Sequence, residues 1–273
     1  MRFVRLFVIL FLPAATLSAQ QPSATLFSSS HLDFAPAPAT AGGGAGQLGQ
    51  TVTAYSSPFT GFAIGVKVGT LGPGVEVATP LSRTLNLRAG ANYFSYADTF
   101  TSDGINYNAT LRLLSGEASL DWFPWAKGFH ISGGAVVYNG NQLTGTSDVP
   151  GGHTFTLNSV TYDSDPADPV TGTGSLLFNK AAPKVTIGWG NMLPRSGRHI
   201  SVPFELGFAY VGDPKVALDL TGSVCDSTGA NCRTITSDPT VQANVTAQQQ
   251  KLQNDANPAR FYPILSLGLA WAF

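Results

Sequence analysis

Charged side chains are scarce in this chain. Asp, Glu, Lys and Arg make up 11% of its 273 residues, where soluble domains carry about 25%. The 15 basic and 16 acidic residues nearly cancel. That balance excludes a nucleic-acid binder, which needs a basic stripe to neutralise phosphates, and a highly charged disordered chain. Long apolar runs are missing too: after residue 19 none approaches the roughly 20 residues of a membrane-spanning helix. Neither a GxSxG elbow nor an HExxH helix occurs, so those hydrolase and metalloprotease signatures are absent. Only two cysteines are present, Cys225 and Cys232. Two such residues supply too few ligands for a metal site. In an exported protein they read as one small-loop disulfide, with free thiols as the alternative. A soluble globule with so few charges has difficulty covering its surface, which raises the question of whether part of the surface faces lipid.

The first residues, MRFVRLFVILFLPAATLSA, place Arg2 and Arg5 before the short apolar core Phe7 to Leu12. Pro13 and small residues follow. This is the pattern of a secretory signal peptide over residues 1–19, cut between Ala19 and Gln20. Residues 20–60 form a flexible low-complexity segment that includes APAPATAGGGAGQLGQ. The remainder, 61–273, reads as one domain.

From Phe62 onward apolar residues alternate with small or polar ones, the period of a strand with two different faces. Residues 200–210 put Ile200, Val202, Phe204, Leu206, Phe208 and Tyr210 on one face. Residues 85–93, 129–137 and 183–190 repeat the pattern. Pro183 cannot donate to a ladder, so it belongs at a bulge or a strand end. Between Tyr107 and Trp122 the apolar parity reverses, and a bulge near Ser115 and Gly116 would restore one apolar face. The link Gly69 to Gly74 is either a hairpin turn or a bulge in one long strand. Asp238 as N-cap and Pro239 as N1 predict one helix, with Val241, Val245, Gln249 and Leu252 on a narrow face and Asn257-Pro258 at its end.

The last residues decide the class. Leu265, Leu267, Leu269, Trp271 and Phe273 alternate with Ser266, Gly268, Ala270 and Ala272. One face is bulky and apolar and the other small, as expected of a strand with lipid outside and a lumen inside. With Phe273 in the terminal position, Leu267, Leu269, Trp271 and Phe273 resemble the C-terminal signature of bacterial outer-membrane β-barrels. That resemblance implies an assembly signal read by the barrel-assembly machinery. The stretches GVKVGTLGPGVEVATPLS, LNLRAGANYFSY, LDWFPWAKGFHISGG and AAPKVTIGWGN look like a group of small bacterial outer-membrane barrel proteins. The resemblance implies fold and location and carries no catalytic residues over.

The expected fold is therefore all-β: a transmembrane antiparallel up-and-down barrel. Eight strands are expected at about 62–69, 75–81, 85–96, 106–123, 129–140, 175–190, 199–211 and 260–273. Ten are possible if His153–Tyr162 and Lys215–Val224 add pairing. Longer external connections are expected at 97–105, 140–175 and 212–260, with short periplasmic turns between. Tyr93, Trp122, Trp125, Trp189, Tyr210 and Trp271 fall at run ends, as interfacial aromatics do. The polar faces assign Lys67, Glu76, Arg88, Arg112, Glu117, Asp121, His130, Lys184 and Glu205 to the lumen. There they form either a salt-bridge plug or a narrow polar pathway. His130, Ser132 and Glu205 are the only catalytic constellation to weigh, and Asp163, Asp165 and Asp168 lack the full calcium-loop spacing. The reading is a non-enzymatic outer-membrane protein, structural or weakly pore-forming. A surface-binding protein acting through its long loops is the alternative, and a lipid-modifying enzyme is a third. Outer-membrane lipid and the assembly machinery are the expected partners. No cofactor, metal, nucleic acid or oligomeric state is indicated.

Overall fold

The computed structural model describes residues 57–273. The signal peptide expected over residues 1–19 and nearly all of the expected low-complexity segment 20–60 lie outside the described residues. The chain forms strands β1 (Ala63–Gly69), β2 (Gly74–Pro80), β3 (Leu85–Ser102), β4 (Ile105–Trp122) and β5 (Phe129–Asn139). Then come β6 (Gln142–Val149), β7 (Thr154–Leu157), β8 (Val160–Ser164), β9 (Val170–Leu177) and β10 (Ala182–Trp189). Last are β11 (Ile200–Ser201), β12 (Phe204–Tyr210), β13 (Lys215–Thr221), β14 (Ser223–Cys225), β15 (Arg233–Thr234), helix α1 (Pro239–Ala256) and β16 (Phe261–Ala272).

Eight strands close a ring in the order β1-β2-β3-β4-β5-β10-β12-β16, all antiparallel, and β16 pairs back onto β1 from Ala63↔Ala272 to Gly69↔Ser266. The Gly69–Gly74 link is a hairpin turn, not a bulge: β1 and β2 pair from Ala63↔Ala78 to Lys67↔Gly74. The segments 153–162 and 215–224 do add pairing, as β7–β8 and β13–β14, but outside the ring, so the barrel has eight strands and not ten. Two of the expected strands are shorter than their alternation. The run 175–190 enters the barrel only at Ala182, because residues 175–177 belong to β9. The run 199–211 is broken at Val202-Pro203 into β11 and β12. Pro183 is the second residue of β10, at a strand end.

Within the ring, side chains follow the pleat. Ile64, Val66, Val75, Val77, Val185, Ile187, Leu206, Leu267 and Leu269 are exposed on the outside, and their neighbours are buried inside. Trp122, Trp125, Trp189 and Trp271 stand exposed at one end of this apolar belt, and Tyr93, Tyr138, Tyr210 and Phe261 at the other. The first is called the turn end here and the second the loop end.

At the loop end, β3 and β4 run on beyond the ring as one unbroken ladder from Leu85↔Trp122 to Ser102↔Ile105. The expected loop at 97–105 is thus strand, closed by a two-residue turn in which Asp103 and Gly104 have φ 53° and 77°. An Asp-Gly pair is the preferred filling of that mirror-image turn, since both residues must adopt positive φ. β6 takes over the edge of β4 that β5 leaves, and β9 and β13 extend the sheet. A second sheet, β7-β8-β14-β15, and α1 cover its inner side. Ile105, Val149, Leu157, Tyr162, Val170, Leu220, Val224, Ile235, Val241 and Val245 form the buried core of this head. The two long loops therefore make one folded unit.

This explains the parity reversal in β4. A register shift does lie at Gly116/Glu117, against β5, but the β3–β4 ladder has none, so β4 never changes face. Ser115, Glu117, Ser119 and Asp121 point into the lumen, and Ile105, Tyr107, Ala109, Leu111 and Leu113 continue on the same inner face. What changes is the surroundings: the inner face lines a polar bore below and an apolar core above. The outer face reverses with it, from Leu120 and Leu114 to Arg112, Thr110, Asn108 and Asn106.

The helix forms as its caps dictate. Asp238 Oδ1 accepts from the backbone N–H of Thr240 and Val241, each at 2.9 Å, and Val241 and Val245 are buried. Gln249 Nε2 donates to the Val216 carbonyl at 3.0 Å, and Val216 N–H donates to Gln253 Oε1 at 3.0 Å. Two glutamines thereby satisfy both backbone groups of Val216 on the open edge of β13, one way to cover part of an edge strand.

The change of surroundings predicts opposite outcomes for one substitution at two outward positions. Ile187→Arg in the middle of the belt should cost ~2–4 kcal/mol in lipid, the range for a cation at mid-depth. Thr146→Arg on the outer face of the head should be close to neutral. Denaturant unfolding of the protein refolded into vesicles measures both, and equal costs would contradict the assigned belt.

Candidate functional site

The barrel bore collects the long polar side chains, each supplied by the inward parity of a different strand. Lys67 Nζ donates to Glu76 Oε1 at 2.7 Å and also bonds Glu117. Lys184 bonds the other oxygen of Glu117. Arg88 is the hub: Nε and Nη2 grip Asp121 Oδ2 and Oδ1 at 2.9 Å each, Nη1 reaches Glu76 Oε1 at 3.1 Å, and Nη2 bonds Glu205. His130 Nε2 lies 3.6 Å from Glu205 Oε1. All eight are buried. Three cations and four carboxylates thus form one continuous cluster with His130 at its margin.

Neutral partners complete it. Ser132 Oγ donates to Asp121 Oδ1 at 2.7 Å, Thr186 Oγ1 to Glu205 Oε1 at 3.3 Å, and Asn92 Nδ2 to Glu117 Oε1 at 3.0 Å. These three were available to sequence reasoning, since they share the inward parity of the charged residues. Arg112 is the exception among the expected lumen residues. It is exposed on the outer face of β4, at the base of the head, and pairs across to Ser95 and Gln142. Its assignment to the lumen assumed that apolar always means outward, which fails above Ser115.

Glycine makes room for these chains. Gly188 sits between His130 and Glu205 on the two neighbouring strands. A Cβ there would lie 2.5 Å from His130 Nε2 and 2.5 Å from the Phe204 carbonyl. Gly90 stands likewise between Glu76 and Glu117.

Apolar layers close the cluster on both sides. Towards the loop end lie Leu71, Val136, Ala182, Ala209, Val211, Tyr262 and Ile264, packed against Phe178, and Tyr262 Oη donates to the Thr70 carbonyl at 2.6 Å. Towards the turn end lie Ala63, Ala78, Ala270 and Ala272 with Met192 and Leu193, which the segment after β10 folds into the mouth. Phe123, also buried, packs on His130 with ring centroids 5.1 Å apart. Met192 and Leu193 carry no sequence signal, because they lie in a connection without periodicity.

The remaining expected residues fall elsewhere. Leu267, Leu269, Trp271 and Phe273 are exposed on the outer face of the last strand. Cys225 and Cys232 form a disulfide in the head, so neither offers a thiolate to a metal despite lying near Asp165. In the same loop Asp226 accepts from Thr228, Asn231 and the backbone of Ala230, bonds that hold its carboxyl well below the usual range. Asp165 Oδ1 accepts from Ala167 N–H and Asp168 Oδ2 from Ser223 Oγ, as turn-forming acids do.

No protein-family model matches the sequence, and no curated protein is similar to it. Among solved structures the chain is similar to CarO of Acinetobacter baumannii, with TM-score 0.51 and 21% identity over 79% of this chain and 98% of that one. It is also similar to CarO2 of the same organism, with TM-score 0.52 and 22% identity over 78% and 98%. The fold is that of a small bacterial outer-membrane β-barrel: all-β, eight-stranded, antiparallel and up-and-down.

Removing the hub should break the cluster. Arg88→Met leaves Asp121 and Glu205 buried beside too few cations, and breaking a buried pair costs ~3–5 kcal/mol. Urea unfolding in vesicles should show that loss. A second expectation concerns space rather than charge: Gly188→Ala should slow or prevent refolding, read as loss of the heat-modifiable gel band, while Gly133→Ala on the open outer side should not.

Proposed function

We propose that this chain is a non-enzymatic outer-membrane protein whose barrel does not conduct and serves to hold a folded head at the cell surface. The observation that carries this reading is the bore itself, in which every charged side chain is ion-paired within van der Waals reach of its neighbours and apolar layers lie above and below. An eight-stranded barrel is just wide enough to be filled by side chains. The signal-peptide pattern and the apolar outer belt support the outer membrane as its location, with the turn end in the periplasm and the head outside. Burial also argues against catalysis by His130: the ring is 2% exposed and a substrate has no route to it that avoids the apolar layers. Planar-bilayer recordings of the refolded protein should show no discrete conductance steps. Regular steps that persist with the head intact would overturn the reading.

A second reading, binding at the surface through the head, is favoured by one specific observation. The outer face of the head sheet presents rows of hydroxyl and amide groups: Thr99 Oγ1 donates to Asn108 Oδ1 at 2.8 Å, Thr101 Oγ1 to Asn106 Oδ1 at 2.8 Å, and Thr171 and Thr221 meet at 2.8 Å. Under this reading the head, and not the barrel, carries recognition. Replacing Cys225 and Cys232 by Ser should then impair surface binding of intact cells while leaving the heat-modifiable band of the barrel unchanged.

A further inference from the structure

The turn end carries a pocket that the closed bore does not use. It has a volume of ≈ 480 Å³ and is lined by Lys127, Asn191, Arg195, Arg198 and Ser201 among others. That is large enough for a small anion or a lipid headgroup. Its charge is one-sided. The connections 81–84, 123–128 and 190–203 contain Arg83, Lys127, Arg195 and Arg198 and not one Asp or Glu. The scarcity of charge elsewhere makes this concentration stand out.

Two of the lining side chains hold unused donors. Arg195 lies over the Phe123 ring, 5.6 Å from its centroid, and its Nη2 reaches the Ser82 carbonyl only at 3.5 Å. Its Nε and Nη1 are buried and have no hydrogen-bond partner among the described residues, and Ser201 Oγ is in the same condition. A buried donor left unpaired is costly, and more so when it is charged. Desolvation holds the Arg195 guanidinium below its ordinary value. Buried polar groups in native proteins are paired as a rule, so the orphaned donors point to an acceptor that the chain itself does not supply.

The chemistry of that acceptor follows from the donors. The orphaned donors, a guanidinium and a hydroxyl, both come from the segment between β10 and β12, and the ammonium of Lys127 from the turn after β4 lines the same pocket. A planar carboxylate offers two oxygens in one plane. A phosphate offers its oxygens tetrahedrally, and guanidinium and hydroxyl donors suit it. We propose that this pocket binds a phosphate group, either as a free anion or as the headgroup of an anionic phospholipid in the periplasmic leaflet. The headgroup source rests on the outer-membrane reading, and the free anion does not.

The experiment uses the full refolded chain. In a nonionic maltoside, inorganic phosphate is titrated calorimetrically into the wild type, Arg195→Gln and Ser201→Ala. In nanodiscs of phosphatidylcholine, phosphatidylglycerol is added and retained lipid is counted by native mass spectrometry. Heat-modifiable migration verifies that each variant is folded, and Arg112→Gln serves as a surface control. One-to-one phosphate binding that Arg195→Gln weakens at least tenfold, with a smaller loss in Ser201→Ala, identifies a free-anion site. Phosphatidylglycerol retention with the same losses and no response to free phosphate identifies a headgroup site. Absence of both, or equal binding by wild type and the folded Arg195→Gln variant, overturns the proposal. The maltoside arm reads the pocket whatever the barrel conducts, so its failure is distinct from a failure of the closed-bore reading.

Discussion

The circumference of the ring constrains everything inside it. When β16 pairs back onto β1, every ladder edge in the belt is used, as a strand structure in lipid requires. Eight strands then enclose so little space that inward side chains from opposite walls must touch. A long charged residue fits only where the residue across the ladder is small, and this is how the pairs fall: Lys67 faces Gly268, Glu76 faces Gly65 and Gly90, and Lys184 faces Gly134. The high glycine content, 30 residues, has a steric reason here more than a conformational one. The same crowding brings Lys67 of β1, Glu76 of β2, Arg88 of β3, Glu117 of β4, Lys184 of β10 and Glu205 of β12 into one cluster. The cluster ties together six of the eight staves. Desolvating so many charges is expensive, and what offsets it is that each carboxylate receives several donors.

Period two tells which residues share a face, and only the surroundings tell what that face touches. Along β3 and β4 the pleat runs without interruption from the turn end to the Asp103-Gly104 turn. Its inner side is polar for the lower half and apolar for the upper half. The outer side does the reverse, passing from Leu120 and Leu114 to Arg112 and Thr110. The exchange falls at Tyr93 and Leu114, which face each other across the ladder. An aromatic residue at that height is where an interfacial girdle belongs, so the edge of the belt is written twice, once in the aromatics and once in the inversion of parity.

Most of the barrel was legible because its environment is uniform. In Val185, Ile187 and Trp189, or in Leu265 to Phe273, lipid outside and a filled bore inside give alternation a single meaning. All eight staves and eight of the nine expected lumen residues follow from it. The head was not legible, for two reasons. Its strands use Thr, Ser and Asn on the exposed face, so residues 97–102 and 142–149 have the composition of loops although Thr suits a pleated surface. Its core is shared by segments far apart in the chain, such as Ile105, Val170 and Val241, and no local period reveals that they meet. Arg112 is the residue where these two limits coincide. The plug residues Met192 and Leu193 were hidden differently, since a turn that folds back into a barrel mouth has no repeat to read.

Among the described residues, the few charges of this chain divide into three populations with different freedom. Its three glutamates, at 76, 117 and 205, all lie in the bore and are matched there to Lys67, Arg88 and Lys184. Most of its aspartates lie in the head, among them Asp98, Asp148, Asp219 and Asp226. The turn end holds arginine and lysine alone. Charges already paired with one another in a dry, filled space are not available to a passing ion or ligand, because each would have to give up a partner it was desolvated to reach. Charges at the two ends keep water on one side, and those that are bonded there, such as Asp226 and Asp238, are held by local turns and caps near the surface. Any recognition that depends on charge must therefore occur at the ends of the barrel, with opposite sign at each. The head offers carboxylates and hydroxyls at the loop end. The turn end offers guanidinium groups that, among the described residues, no carboxylate pairs. The bore keeps the two apart and fixes their orientation across the membrane.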